Sequence, residues 1–274
     1  MSIAEESLPH VPDLRVRTLR APLKWAGGKR WQVVHLLPLW QPHARRRLVE
    51  PFCGGLAVAL GLRPARALLN DVNPHLVNFY RCLQRGDALP IMGENDRGSF
   101  DRNRARFNAL VEQGAAEGPE AAALFFYLNR TGFNGLCRFN TRGFFNVPFG
   151  RYKSVNYTLD SARWRSALRG WRFTRGDFER VALLPDDFVY ADPPYDVPFT
   201  GYSAGGFSWE DQIRLASCLS RHPGPVILVN QATGRICELY RAHGFALRFL
   251  DAPRRISCTG DRSPAREVVA TRNL

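Results

Sequence analysis

The stretch Ala191-Asp192-Pro193-Pro194-Tyr195 sets an acid, a main-chain carbonyl locked between prolines and an aromatic ring in one small space. Proline fixes φ and cannot donate to a sheet ladder. The segment therefore reads as a rigid exit from the apolar strand Phe188-Val189-Tyr190. Such an exit suits methylation of an exocyclic aromatic amine, a poor nucleophile because its lone pair is delocalised into the ring. Hydrogen bonds from its two N–H groups to the Asp192 carboxylate and the Pro193 carbonyl would draw the nitrogen toward tetrahedral geometry. They would also aim its lone pair at an electrophile. The amine attacks while neutral, so Asp192 need not take a proton first; solvent or Asp192 receives it after attack. Tyr195 would stack on the base, and Pro193 and Pro194 would hold the acceptors fixed.

Two more stretches carry residue types suited to a ligand. In VEPFCGGLAVAL, residues 49–60, a short strand ends at Gly54-Gly55, and glycine at such a turn allows close approach to the backbone. The turn is neither GxGxxG nor a P-loop, so the expected ligand is a nucleoside without a phosphate tail. Asp71 lies 19 positions after Phe52, where an acid accepts hydrogen bonds from ribose hydroxyls. Taken alone, the turn also fits an ordinary strand–helix connection. LKWAGGKR, residues 23–30, sets two glycines between lysines beside Trp25, as an anion-binding loop before a helix would. Lys29 would meet a carboxylate at that helix start; alternatively the segment is a flexible turn with solvated lysines.

These residues need a frame. Residues 47–52 and 67–71 read as strands, with a helix over 56–62 between them and another opening at Pro74. Strand, glycine turn, helix and acid-ended strand make half of a doubly wound α/β sheet. The alternation resumes with strands at 171–173, 187–190 and 226–229, separated by helices near 209–219 and 235–243. Segments 245–250 and 267–271 are expected to pair as an antiparallel edge. Between the halves, residues 74–159 carry helices near 101–112 and 119–131, then an aromatic and turn-rich stretch that predicts a β-hairpin. This is an inserted domain: 11–73 and 160–274 form one unit, 74–159 another.

The 274 residues carry 38 Lys and Arg against 25 Asp and Glu, a formal charge of +13, and only Lys24, Lys29 and Lys153 are lysines. GC-rich coding would account for the ratio but not for the net charge, which points to a polyanion, most often nucleic acid. Six scattered cysteines form no CxxC pair and the six histidines do not cluster. No metal site is expected, and the thiols read as reduced in a cytoplasmic protein. No apolar run reaches the roughly 20 residues of a membrane span, and the N-terminal MSIAEESLPH lacks a signal-peptide core.

LKWAGGKR, VEPFCGGLAVAL, LNDVN, FFYLNRTGFNGLCRFNTRGFFNVPFGRYK and ADPPY occur in this order. With the late RRISCTGDRSPAREVVAT, they closely resemble the Dam-type, D12 class of adenine-N6 DNA methyltransferases, from about residue 20 onward. The resemblance implies a Rossmann-like S-adenosylmethionine-dependent α/β sheet with an inserted, mainly helical target-recognition domain carrying a β-hairpin. It implies transfer of a methyl group to N6 of adenine in double-stranded DNA, usually in GATC, by base flipping. It places the cofactor against Trp25, Lys29, Phe52, Asp71 and Asp192, with Phe178 flanking the cofactor adenine. Asp192, Pro193 and Tyr195 would hold the flipped base, Pro194 completing the catalytic tetrad. Asn134, Leu136, Arg138 and Pro148 fall at base-contacting positions, Phe133 at that of a wedge into the stack, and Lys24 and Arg151 at further DNA contacts.

Two positions depart from the family. The turn reads FCGGL where many cellular members have FxGxG, and Phe133 stands where tyrosine is common, so a hydroxyl contact is lost while stacking remains. Arg138 is suited to a guanine edge; Arg142, Arg151 and Lys153 are expected at phosphates. No obligate protein partner is implied. The competing readings are a methyltransferase acting on an RNA base or a protein amide, and a DNA-binding protein without cofactor. The Arg-rich aromatic hairpin argues against the first, and intact Asp71 and DPPY against the second. A dinucleotide oxidoreductase lacks its GxGxxG.

Overall fold

The computed structural model describes residues 19–157, 159–196, 206–252 and 265–274. Seven strands form one sheet in the order β3-β2-β1-β4-β5-β7-β6. They are β1 Leu48–Glu50, β2 Ala67–Asp71, β3 Trp171–Arg175, β4 Phe188–Ala191, β5 Val226–Gln231, β6 Ala246–Ala252 and β7 Ala265–Arg272. Strands β3 to β5 run parallel across the sheet. Every residue of β1 and β4 is buried, as a parallel strand covered on both faces requires. The chain leaves β1 toward β2 and β3, then returns to place β4 and β5 on the other side. That reversal opens a crevice beyond the carboxyl ends of β1 and β4.

The late strands differ in one respect from the sequence expectation. Strands β6 and β7 do pair antiparallel, but β7 lies inside the sheet against β5, and only β6 is an edge. The cause is burial: Val268, Val269 and Ala270 are fully apolar and enclosed, whereas β6 is mostly exposed. Because β7 runs backward, its early residue Glu267 pairs with Gln231, at the end of the sheet that carries the crevice.

Helices α1 Val33–Trp40, α2 Ala57–Leu62 and α3 Pro74–Arg85 serve the first half, and α7 Trp209–Ser220 and α8 Gly234–Ala242 the second. Between them lie α4 Arg97–Glu112, α5 Gly118–Thr131 and α6 Ser161–Ala167. Helix α3 starts where the sequence signals it: Asn73 accepts from the His75 and Leu76 amides, Pro74 fills the first turn, and Gly86 closes the end with φ +81°. It packs on the sheet through Tyr80, stacked on Phe173, and on α5 through Phe79, stacked on Phe126.

The stretch after α5 is not a regular hairpin. Its pairing is reduced to two isolated antiparallel bridges, Phe139 with Phe145 and Gly132 with Phe149. The Asn140 carboxamide oxygen takes the Arg142 and Phe144 amides, and Pro148 has no N–H to extend a ladder. The N-terminal segment, Cys258 and most of RRISCTGDRSPAREVVAT lie outside the described residues.

Candidate functional site

Asp192 is the first residue past β4, at the crevice, with its side chain 22% exposed. The Lys29 ammonium stands 3.8 Å from Asp192 Oδ1 and 4.4 Å above the Tyr195 ring. Burial raises the Asp192 carboxyl to about 6; Lys29 opposes this, Glu267 adds to it, and the Tyr195 hydroxyl opposes it. Glu50, at the end of β1, is enclosed, and burial pushes its carboxyl well above the usual range, with Asp192 acting in the same direction.

The proline exit is held from behind. Gln212 donates to the Pro194 carbonyl at 2.9 Å, Asn230 donates to Gln212, and the Asp196 amide donates to Asn230. Both Gln212 and Asn230 are buried. Arg235 forms an ion pair with Asp196. Among the described residues no hydrogen bond occupies the Pro193 carbonyl.

The other expected residues line the same end of the sheet. Asp71 ends β2, and its two oxygens accept the Gly54 and Asn73 amides at 3.0 and 2.9 Å. Burial raises its carboxyl, against those backbone donors. Phe52 and Phe178 lie 5.6 Å apart, with Phe207 edge-on to Phe52 at 5.6 Å. Arg214 covers the Phe178 ring at 4.7 Å and is itself held by Asp177, Glu179 and Asp211.

The close approach at Gly54-Gly55 is made by Trp25. A Cβ at Gly54 would fall 2.7 Å from the Trp25 indole nitrogen, and one at Gly55 2.7 Å from Trp25 Cβ. Lys29 has left the glycine loop behind it: it opens a 3-10 turn, Lys29–Gln32, and pairs with protein carboxylates.

Lys24, on the far side of Trp25, is bound to the segment after α5. Its backbone exchanges two hydrogen bonds with Asn129, at 2.9 and 2.8 Å. Its ammonium donates to the Arg130 carbonyl and sits 3.4 Å from the Tyr152 ring centroid. Burial, and then Arg130, bring the Lys24 ammonium down to about 8. Gly135 has φ +62°, and a Cβ there would strike Lys24 Cβ at 2.2 Å. Phe133, 47% exposed, and Asn134, with φ +52°, precede it. Arg138 is exposed, its Nε and Nη2 held by Asn146 at 2.8 and 3.2 Å. Leu136 is half-buried, and Pro148 and Arg151 are exposed. Arg142, expected at a phosphate, pairs with Glu112 at 2.7 Å.

Several participants escaped the sequence reading. Glu267 was seen only as a strand residue, and Gln32, Asn129, Asn146, Phe207 and Gln212 not at all. The one sequence signal was the i, i+3 spacing of Lys29 and Gln32, which aligns side chains in a 3-10 turn. Among the described residues no group of three His, Cys, Asp or Glu could hold a metal. Nor is any helix long and apolar enough to cross a membrane.

A family model described as "D12 class N6 adenine-specific DNA methyltransferase" matches residues 25–249. The retron Ec67 DNA adenine methylase of Escherichia coli is 36% identical, over 90% of each chain. A DNA adenine methylase of Vibrio cholerae is 35% identical, over 92% of this chain and 95% of that one. A DNA N-6-adenine-methyltransferase of Escherichia phage P1 is 38% identical over 91% of this chain, which spans only 35% of that longer protein.

Proposed function

The chain belongs to the D12 class of N6 adenine-specific DNA methyltransferases, and on that premise we propose that it methylates adenine N6 within GATC in double-stranded DNA after everting the base. The methyl donor is S-adenosylmethionine, which when bound supplies a methyl group made electrophilic by a sulfonium.

The residues fit that donor. A carboxylate offers about four acceptor positions; Asp71 uses one on each oxygen for backbone amides, which leaves acceptors for a ribose diol. Phe52 and Phe178 supply aromatic walls for a purine. Asp192 and Glu267 share one ammonium, Lys29, so among the described residues negative charge is in excess there, which suits a cation.

The observation that carries the reading is the pairing of Asp192 with a Pro193 carbonyl that takes no hydrogen bond among the described residues, at the mouth of the crevice. An adenine N6 has two N–H groups, and here are two fixed acceptors on one rigid backbone turn. The Asp192 oxygen and the Pro193 carbonyl orient the amine, and the Tyr195 ring packs against the base. Adenine N6 is inside a stacked pair, so the base must leave the helix at a cost of a few kcal/mol. Exposed Phe133 is our candidate to fill the gap. Segment 74–159, whose first helix α3 also packs on the sheet through Tyr80, acts as the target-recognition domain and 11–73 with 160–274 as the catalytic domain, in the cytoplasm.

Lys24 gives this reading a pH signature. Its ammonium is charged below about 8 and neutral above. Affinity for a GATC duplex therefore falls about tenfold between pH 7 and 9, and Lys24→Gln flattens that fall; fluorescence anisotropy measures both. The overall reading is tested by expressing the protein in a methylation-deficient host and digesting plasmid with enzymes that distinguish methylated from unmethylated GATC. Resistance to the enzyme that needs bare GATC is expected; unmodified plasmid would refute it.

A further inference from the structure

We propose that Glu267 is a positioning residue for methyl transfer, holding the Lys29 ammonium back from Asp192 so that an Asp192 oxygen stays open to the target amine. This rests on the reading of Asp192 as acceptor of that amine.

The geometry is a relay of enclosed side chains. Lys29 Nζ donates to Glu267 Oε1 at 3.1 Å but stands 3.8 Å from Asp192, beyond hydrogen-bonding distance. Gln32 Nε2 donates to the other Glu267 oxygen at 2.5 Å, and the Tyr190 hydroxyl donates to Gln32 Oε1 at 2.9 Å. Lys29, Gln32, Glu267 and Tyr190 are all buried. Two backbone periods explain the arrangement. In a 3-10 turn residues i and i+3 eclipse, so Lys29 and Gln32 reach the same carboxylate. In a strand residues i and i+2 share a face, so Tyr190 and Asp192, just beyond the end of β4, lie on one side. Gln32 is thereby tied to Tyr190 and Lys29 is brought to Asp192. Glu267 itself is fixed by the register of β7 on β5.

An ammonium has three donors. Closed onto Asp192, Lys29 would compete with the amine for the acceptor and make it a weaker base. With Glu267 as its primary partner, Lys29 acts on Asp192 chiefly by its charge. The other groups around Asp192 are Glu50 from β1, kept high by burial, and the phenols Tyr190 and Tyr195. Tyr240 of α8 also faces it, and among the described residues Lys29 is the single cation beside Asp192.

The test uses Glu267→Gln, which keeps the shape and removes the charge, and Glu267→Asp, which keeps the charge and draws Lys29 away from Asp192. The Asp192 carboxyl is followed by carbon-13 NMR in the free protein, assigned with Asp192→Asn, and single-turnover methylation is followed against pH. The wild-type midpoint is expected at about 6. Glu267→Gln should lower it to about 5 or below, carry the acid limb of the rate with it, and reduce the plateau rate at least about tenfold. Glu267→Asp should hold the midpoint at or above the wild-type value and retain the plateau within about threefold. An unmoved midpoint in Glu267→Gln overturns the proposal. So does a Glu267→Asp protein that behaves like Glu267→Gln, and this second comparison decides if the first variant does not fold. A wild type that methylates no adenine would instead sink the functional reading, so the two failures are distinct.

Discussion

Replacing Asp192 by alanine lowers the single-turnover rate of methyl transfer by about 10³-fold and leaves affinity for a GATC duplex within about threefold. The first half follows from what the carboxylate does. In the proposed mechanism it is one of two acceptors that shape the amine, and the Pro193 carbonyl alone cannot orient both N–H groups. The second half follows from what remains. Lys29 keeps its ion pair with Glu267, so no cation is left bare in the crevice. The proline turn keeps the support of Gln212 and Asn230. Lys24, tied to Asn129 and Arg130, and Arg138, held by Asn146, make no contact with Asp192 and are untouched. In the wild type the same carboxylate sets an acid limb: it is charged above about 6 and protonated below. The rate therefore falls as pH drops through that value, and rapid-quench kinetics reads both effects.

Replacing Arg138 by alanine reduces discrimination between GATC and a site altered at one guanine by about 10- to 100-fold, the equivalent of 1–3 kcal/mol for a bidentate base contact. The guanidinium is exposed, and Asn146 holds it from one side through Nε and Nη2. Its planar fork is thus oriented before any base arrives, which lowers the entropy of forming the contact. Affinity for unrelated DNA should change little, because that term comes from phosphate contacts. Arg151→Ala is the control, weakening all sequences alike and reducing the salt dependence by about one counterion. Competition between two duplexes in one methylation reaction measures the ratio directly. An unchanged ratio would remove Arg138 from base reading.

How far the sequence led depends on how local each feature is. The turn after β4 was readable because two prolines, an acid and an apolar run are adjacent. Asp71 was readable because an acid ending the second strand follows from the strand–helix–strand alternation. Glu267 was not, since its bond to Lys29 spans 238 positions and exists only because β7 turned out to be an interior strand. Asn129 and Lys24 are likewise joined across 105 positions. The glycines of FCGGL were read as room for a ligand, and in the fold Trp25 lies over them. Composition marks where backbone can be approached; it does not say by what. The hairpin pairs through only two antiparallel bridges, with the Asn140 side chain taking two amides of its turn.

The most direct test is a crystal structure of the protein with an inert sulfonium analogue and a GATC duplex. The account predicts an everted adenine whose N6 lies within about 3.2 Å of both an Asp192 carboxylate oxygen and the Pro193 carbonyl, facing the analogue's transferable position. An adenine still stacked in the duplex, or an everted base with N6 turned away from Asp192, would contradict it.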